Sequence, residues 1–561
     1  MKAVDVGIEG PYKVDPVMHR LKGNVTGAEH SFNDFLPYDV TLKPGTRQEF
    51  GTPLALSSNE ESPFFNLQWD DGGVITAVGW TGHWGASAEY RQDGQITLEA
   101  GMREIRLRLH PGESIRTPRI VQVYWKGTDY IRSYNLFRRT MFAHIMPKTD
   151  GKLVYPPISH TTNCFYSQNS GTEKEILEYL DSIKGLGFEC LWLDAFYMKD
   201  GWPDGVGNYY LPLDNIADPV RYPRGLRPIS DAAHKEKMIF LLWTAPERAV
   251  KGTWLYENHP EWLLGTPDQQ TKLYDMGNPD AREYMTKYMI ELIKGYRIEC
   301  IRFDCGALIG EMRGNDVLEP DRSGMTEIRY HEGLYRMWDD ILKACPGVFI
   351  DNCCGGGNRI DLETCARSLP LWRTDASGYT LAMWNPKDLN ATAMQSQIIS
   401  GGLNRYVPFS LNGTQGAAPY FMRSALNAGL TFTEDTRPAD YPKAELKKGI
   451  EECKRLRKYF TGDFYVLTDV NADPKAWCVY QYDRPDAHDG IVTAFRRHNA
   501  PSTDYTCHLY GINPDADYRV TFSYGWKPDA PVIVKGTELT NLKIHLNEQP
   551  GSVIVEYKVV D

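Results

Sequence analysis

Three short apolar runs of this chain end in aspartate: ECLWLD at Asp194, ECIRFD at Asp304 and PLWRTD at Asp375. Asp304 and Asp375 each have an arginine two residues earlier, Arg302 and Arg373. A fourth run, MIFLLW, ends at Trp243 with Glu247 shortly after it, and a fifth, GVFIDNC, leads through Asn352, Cys353 and Cys354 into three glycines. One aspartate in such a place is usually the N-cap of a following helix. Three on separate runs call for a shared explanation. Carboxyl groups that converge on one cleft can divide the work of glycoside hydrolysis, one attacking or activating water and the other protonating the leaving oxygen. The chain has no HExxH, GxSxG or EF-hand loop, which leaves zinc-peptidase, serine-hydrolase and calcium chemistry without support; no metal and no cofactor is expected.

The elements around these residues say how they could meet. ISHTTNCF (158–165), ECLWLDAF (189–196), MIFLLW (238–243), ECIRFD (299–304), GVFIDNC (347–353), PLWRTD (370–375), NRYVPFS (404–410) and SALNAGLTF (424–432) read as short strands. Amphipathic segments lie between them at 173–187, 226–237, 282–296, 331–345, 361–368 and around 387–400. Close to eight strand–helix units predict a (β/α)8 TIM barrel, whose active site lies where the strand C-termini converge. An open doubly wound sheet is the alternative, weakened because no GxGxxG follows the first strand. Alternation along a strand places Arg302 and Asp304 on one face.

On either side the texture is strand and turn. Residues 1–148 read as an N-terminal β sandwich, with a helix over 129–146 leading out of it. The barrel is expected over 149–462, and 463–561 as a C-terminal antiparallel β domain. The 62 basic against 73 acidic side chains give a net charge of −11, which speaks against nucleic acid as partner. No apolar run is long enough to span a membrane. A carbohydrate is the expected partner; oligomeric state is not read from the sequence. Trp and Tyr number 14 and 33, a surplus that suits core packing first and stacking on sugar faces second. Eleven cysteines without a CxxC pair suggest free thiols in a reducing compartment. The start carries no secretory signal, so the cytoplasm is the expected location, with export after removal of a leader as the alternative.

Several of these segments also carry a resemblance. LLWTAPERAVKGTWLYENHPEWLLG (241–265), LYDMGNPDAREYM, IRFD, IDNCCGGGNRIDLET and LWRTD resemble, in this order, the melibiase-type α-galactosidases of glycoside hydrolase family 36, as does LHPGESIRTPRIVQVYW in the first domain. The resemblance implies a β supersandwich, a catalytic barrel and a C-terminal β domain, releasing terminal α-linked galactose by a retaining double displacement. It implies Asp304 as nucleophile and Asp375 as general acid/base. It implies that Cys353, Gly356 and Arg359, the CxxGxxR pattern, meet the sugar near its 2-position. Asp194 would grip the far hydroxyls, and Trp243 would wall the pocket.

The chain also departs from the family. Asp194-Ala195 replaces a frequent Asp-Asp pair, Arg302 replaces a frequent lysine, and TAPE replaces FEPE. A bacterial branch with DAG after strand two and an Arg-x-Asp motif resembles the chain better, and its substrates are less uniform. The competing activities are an α-N-acetylgalactosaminidase of the same mechanism, a transglycosylase, and a sugar-binding protein without catalysis. Retention of both Asp304 and Asp375 argues against the last.

Overall fold

The computed structural model describes the chain except residues 11, 25–31, 163–170, 215, 305–311, 313–315, 317–320, 376–387 and 561. The end of the run 158–165 and the start of the helix expected from 387 lie outside the described residues.

At the N-terminus, alternating apolar residues build two antiparallel sheets. One orders Lys2–Ile8, Ile96–Met102, Trp84–Tyr90 and Thr46–Gly51; the other orders Arg119–Lys126, Gly72–Gly79, Phe64–Trp69, Val17–Leu21 and Pro37–Thr41. Met18, Phe65, Leu67, Val74, Val78, Trp84 and Leu98 fill the space between them. The helix leading out runs over Tyr130–Thr140, capped by Asp129, whose carboxylate accepts from the Ile131 N–H. It continues as a wider turn over Met141–Ile145.

Parallel strands follow, in chain order Ile158–Thr161, Cys190–Leu193, Ile239–Thr244, Cys300–Asp304, Phe349–Cys353, Ser368–Leu369, Gly413–Thr414 and Leu430–Phe432. These are barrel strands one to eight. Each pairs with the next up to strand six, strand one pairs with strand eight, and strand eight with strand seven. Two backbone hydrogen bonds, Leu411 N–H to the Pro370 carbonyl at 2.8 Å and Arg373 N–H to the Leu411 carbonyl at 3.0 Å, join strands six and seven and close the ring. The fold is therefore a TIM barrel flanked by antiparallel β structure, and not an open sheet. Helices Glu173–Ile183, Arg227–Lys235, Pro279–Tyr296, Met325–Ala344, Leu389–Leu403 and Pro419–Ala425 lie on its outside. A three-stranded excursion, Arg248–Val250, Leu263–Leu264 and Thr271–Tyr274, leaves the end of strand three.

Strand seven corrects the sequence reading. Asn404 to Val407 close the C-terminal turn of the helix Leu389–Leu403, with Tyr406 and Val407 N–H bonded back to the Leu403 carbonyl. The strand itself is Gly413–Thr414, short and glycine-bearing. A Cβ on Gly413 would stand 2.5 Å from the Trp372 ring, so the barrel takes glycine there because an indole fills the side-chain space. Likewise the run 424–432 begins as the end of a helix, and only Leu430–Phe432 is strand.

After the helix Lys443–Leu456, strands Asp463–Val466, Trp477–Arg484, Asp489–Arg496, Gly551–Val559, Asp517–Ser523 and Val532–Lys535 form an antiparallel sheet. Asp504–His508 and Asn541–His545 pair beside it. Among the described residues no helix is long and apolar enough to cross a membrane.

Candidate active site

The barrel register sets the interior. Leu242 pairs with Ile301, Trp243 with Arg302, Arg302 with Asp351 and Asp304 with Cys353. Trp243, Arg302 and Asp351 stand in register on neighbouring strands and share a face by period-two alternation, and Asp304 and Cys353 lie two residues nearer the strand C-termini on that face. Parallel strands end here, so the side chains of several strands share one mouth.

Asp304 stands at the centre with its side chain 20% exposed. Its Oδ2 accepts from the Trp243 indole N–H at 3.1 Å and lies 3.7 Å from Arg302 Nη2. Its Oδ1 accepts from the Gly355 backbone N–H at 3.3 Å. Trp243 therefore meets the site through its indole N–H. Asp375 accepts from the Trp372 indole N–H at 3.0 Å. Burial, and then the negative charge of Asp304, push its carboxyl up to about 7 against a pull from Arg302. Asp194 accepts from Trp192 Nε1 at 2.9 Å and from Ala195 N–H at 2.8 Å, so it caps the turn Ala195–Tyr197 while lying in the same electrostatic cluster. Burial raises it to about 6, with Arg302 opposing.

Arg302 is buried and is not Asp304's alone. Its Nη1 donates to Asp351, and its guanidinium lies 4.6 Å from the centre of the Trp192 ring. Asp351 is fully buried and also accepts from the Leu371 N–H at 2.8 Å. Strand five thus supplies a fourth carboxyl to the barrel interior, raised above its ordinary range chiefly by burial. The sequence reading took only Asn352, Cys353 and Cys354 from this strand. Asp351 was within reach of it, since the alternation that pairs Arg302 with Asp304 also pairs Asp351 with Cys353.

The turn after strand five is compact. Cys353 Sγ accepts from the Gly356 N–H at 3.3 Å, and burial pushes its thiol well above the ordinary range. Gly356 has φ +83°, and a Cβ there would stand 2.7 Å from both the Asp375 nitrogen and Thr374 Cα. Only glycine lets this turn lie against the backbone that carries Asp375. Arg359, which the resemblance places near the sugar's 2-position, is buried in an ion pair. It is 2% exposed, and its Nη1 donates to both oxygens of Glu247 at 2.7 and 2.8 Å. The structure brings Asp194, Trp243, Arg302, Asp304, Cys353, Gly356 and Asp375 to the mouth and turns Arg359 into a buried ion pair behind it.

The expectation of free thiols is also corrected in part. Among the described residues eight cysteines, Cys353 among them, are free and buried, whereas Cys354 is disulfide-bonded.

The N-terminal sandwich reaches this turn from outside the barrel. Ser57 Oγ donates to Asp361 at 2.6 Å, Ser58 Oγ donates to the Gly357 carbonyl at 2.6 Å and accepts from the Ile360 N–H at 2.7 Å, and Asn59 donates to Asn358 at 2.8 Å. Asp34 accepts from the hydroxyl of Thr374, the neighbour of Asp375. No spacing in the sequence announces these contacts, because they join residues some 300 positions apart in the chain.

Known proteins resemble this chain in sequence and in fold. Residues 114–380 match the family model described as Melibiase. The chain is 23% identical to "Alpha-galactosidase Mel36A" of Lactobacillus acidophilus, over 84% of this chain and 65% of that protein. It is 24% identical to "Alpha-galactosidase AgaA" of Geobacillus stearothermophilus, over 83% of this chain and 64% of that protein. It thus spans just under two thirds of these curated relatives. The crystal structure of the Geobacillus enzyme superposes with a TM-score of 0.82 at 20% identity, covering 99% of this chain and 76% of that one.

Proposed function

We propose that this chain, a member of the melibiase-type glycoside hydrolase family 36, is a retaining exo-α-glycosidase that releases terminal α-linked galactose. The observation that carries the reading is the unequal pair at the ends of strands four and six. Asp304 is surrounded by donors suited to a carboxylate, the Trp243 indole, the Gly355 amide and the Arg302 guanidinium. Asp375 is held protonated into the neutral range by burial and by Asp304 itself. A carboxyl ringed by hydrogen-bond donors beside a second carboxyl that burial keeps protonated is equipped for attack and acid catalysis.

Asp304 attacks the anomeric carbon as the bond to the leaving oxygen breaks, and Asp375 delivers its proton to that oxygen. The glycosyl ester consumes the negative charge of Asp304, which removes one of the causes that keep Asp375 protonated. Asp375 then takes a proton from water, the water attacks the anomeric carbon, and Asp304 leaves as carboxylate. Arg302, fixed by Asp351, offsets the charge of Asp304 and, with Trp243, is assigned to the wall that binds the sugar. Asp194 is assigned to the sugar hydroxyls and Cys353 and Gly356 to the region of the 2-position.

Galactose is supported by the relatives. They are named α-galactosidases, and structures of Geobacillus AgaA variants hold stachyose and raffinose. The test is proton NMR of the first-formed sugar. Double displacement returns the α anomer before mutarotation, and a first-formed β anomer overturns the mechanism. Turnover of nitrophenyl α-galactoside against the α-N-acetylgalactosaminide decides the sugar, and faster cleavage of the second replaces galactose by N-acetylgalactosamine.

A further inference from the structure

Glu247 and Arg359 form an enclosed ion pair behind the site, each side chain 2% exposed, and neither is assigned a step in the reaction above. We propose that they are positioning residues for the nucleophile, acting through the strand-five turn to hold the Gly355 N–H on Asp304. The inference rests on the reading of Asp304 as nucleophile.

Every nitrogen of Arg359 is engaged with protein. Nη1 donates to both Glu247 oxygens, Nε to Asn352 Oδ1 at 3.0 Å and Nη2 to the Cys353 carbonyl at 3.3 Å. Asn352 returns a bond from Nδ2 to the Arg359 carbonyl. The guanidinium lies 5.3 Å from the centre of the Trp338 ring. Glu247 is fixed in turn, its side chain accepting from the Tyr330 hydroxyl and its carbonyl from the Tyr274 N–H at 2.8 Å. Tyr330 and Trp338 both belong to the helix Met325–Ala344. The pair therefore ties the strand-three excursion, the strand-five turn and one outer helix together.

The held segment is the one that contacts Asp304. Between the Cys353 carbonyl, gripped by Arg359, and the Gly355 amide, which donates to Asp304 Oδ1, lies only Cys354. Asn358 Nδ2 closes the turn onto the carbonyls of Cys354 at 3.0 Å and Gly355 at 2.8 Å. A hydrogen bond from a backbone N–H favours the ionised carboxylate, the state that attacks. A planar fork suits this task because it meets three acceptors at fixed angles, which a lysine ammonium does not. Among the described residues, the titratable groups that otherwise act on Asp304 are Arg302, Asp194, Asp351, Asp375 and the Cys353 thiol, and the Trp243 indole N–H also donates to it.

The experiment compares Arg359→Lys, which keeps the charge and loses the fork, with the double variant Glu247→Gln/Arg359→Gln, which removes both charges so that no uncompensated ion stays buried. Tyr330→Phe, which deletes one donor to Glu247 at nearly constant volume, is the mild third variant. Each is measured by kcat, by KM, by inhibition by the released sugar, by Tm, and by the pH profile of kcat/KM on a nitrophenyl α-glycoside. Both Arg359 variants should lose about tenfold or more in kcat, the size expected when one hydrogen bond to a charged group is lost. Sugar inhibition should change by less than about twofold, as expected when an interaction made chiefly in the transition state is lost. The acid limb of the profile should move to higher pH, and Tyr330→Phe should move it the same way by less. A fall in Tm with kcat and the acid limb unchanged in all three reduces the pair to a structural role and overturns the proposal. Weaker sugar binding with kcat unchanged overturns it differently, by placing Arg359 on the sugar. Asp304→Ala is run alongside. If that variant stays active the nucleophile reading fails, whereas an inactive Asp304→Ala beside an unmoved acid limb defeats only the positioning role.

Discussion

Replacing Asp375 by asparagine should make the protein less active and more stable, and the stability gain should depend on pH. The carboxyl is pushed from an ordinary 3.8 up to about 7, by burial first and the Asp304 charge second. Because the folded protein binds this proton more tightly than the unfolded chain, the group favours folding most below pH 3.8, and that advantage is lost as pH rises towards 7. A gap of roughly three pH units at about 1.36 kcal/mol each caps the loss near 4 kcal/mol, less what water at the mouth relieves. Asparagine is neutral throughout and keeps an Oδ1 for the Trp372 indole. The melting temperature of Asp375→Asn should match wild type near pH 4, exceed it by several degrees at pH 8, and level off above that. In parallel, kcat/KM should fall by about 10²–10⁴ for a sugar leaving group and much less for a nitrophenolate, which needs little protonation. The wild-type basic limb near neutrality should vanish. A stability gain equal at pH 4 and pH 8, or a basic limb that survives the substitution, refutes the assignment of the titration to Asp375.

Asp304→Ala should abolish turnover of an aryl α-glycoside, and azide should restore part of it as a β-glycosyl azide detectable by NMR. Gly356→Ala should destabilise by about 1–3 kcal/mol, since φ is +83° and the new Cβ meets backbone at 2.7 Å; thermal melting reads the loss, and activity should fall with it because that backbone carries Asp375. Asp351→Asn should free Arg302 from its second carboxylate and lower kcat by about tenfold with sugar inhibition little changed; an unaltered kcat would make the Arg302–Asp351 pair incidental to the reaction.

The strand-end aspartates were legible because a barrel strand buried on both faces is an apolar run, and a charge at its end has few other reasons to be there. Period-two alternation carried Arg302 and Asp304 to one face, and applied to strand five it would have carried Asp351 as well. Strand seven was illegible for the opposite reason. Its two residues, Gly413 and Thr414, carry no apolar side chain, and their strand character comes from the neighbouring strand and from the Trp372 ring filling the space at Gly413. The ion pair of Arg359 was illegible because a sequence pattern gives proximity to a turn and not the direction of a side chain. The buried acid that receives it, Glu247, lies more than a hundred residues away in the chain.

The contacts from Ser57, Ser58, Asn59 and Asp34 bear on how such a protein can be cut, spliced or inherited. A barrel produced alone would present the polar groups of Asp361, Gly357, Asn358 and Thr374 to water, and the turn carrying Gly355 and Gly356 would lose its outer wall. Grafting the sandwich of a relative onto this barrel would face the same difficulty unless those four side chains travelled with it. Descent should therefore keep the two regions on one chain as a single heritable module, while length changes accumulate at the far rim of the C-terminal sheet, where Val532 and Ile533 are exposed on an edge strand.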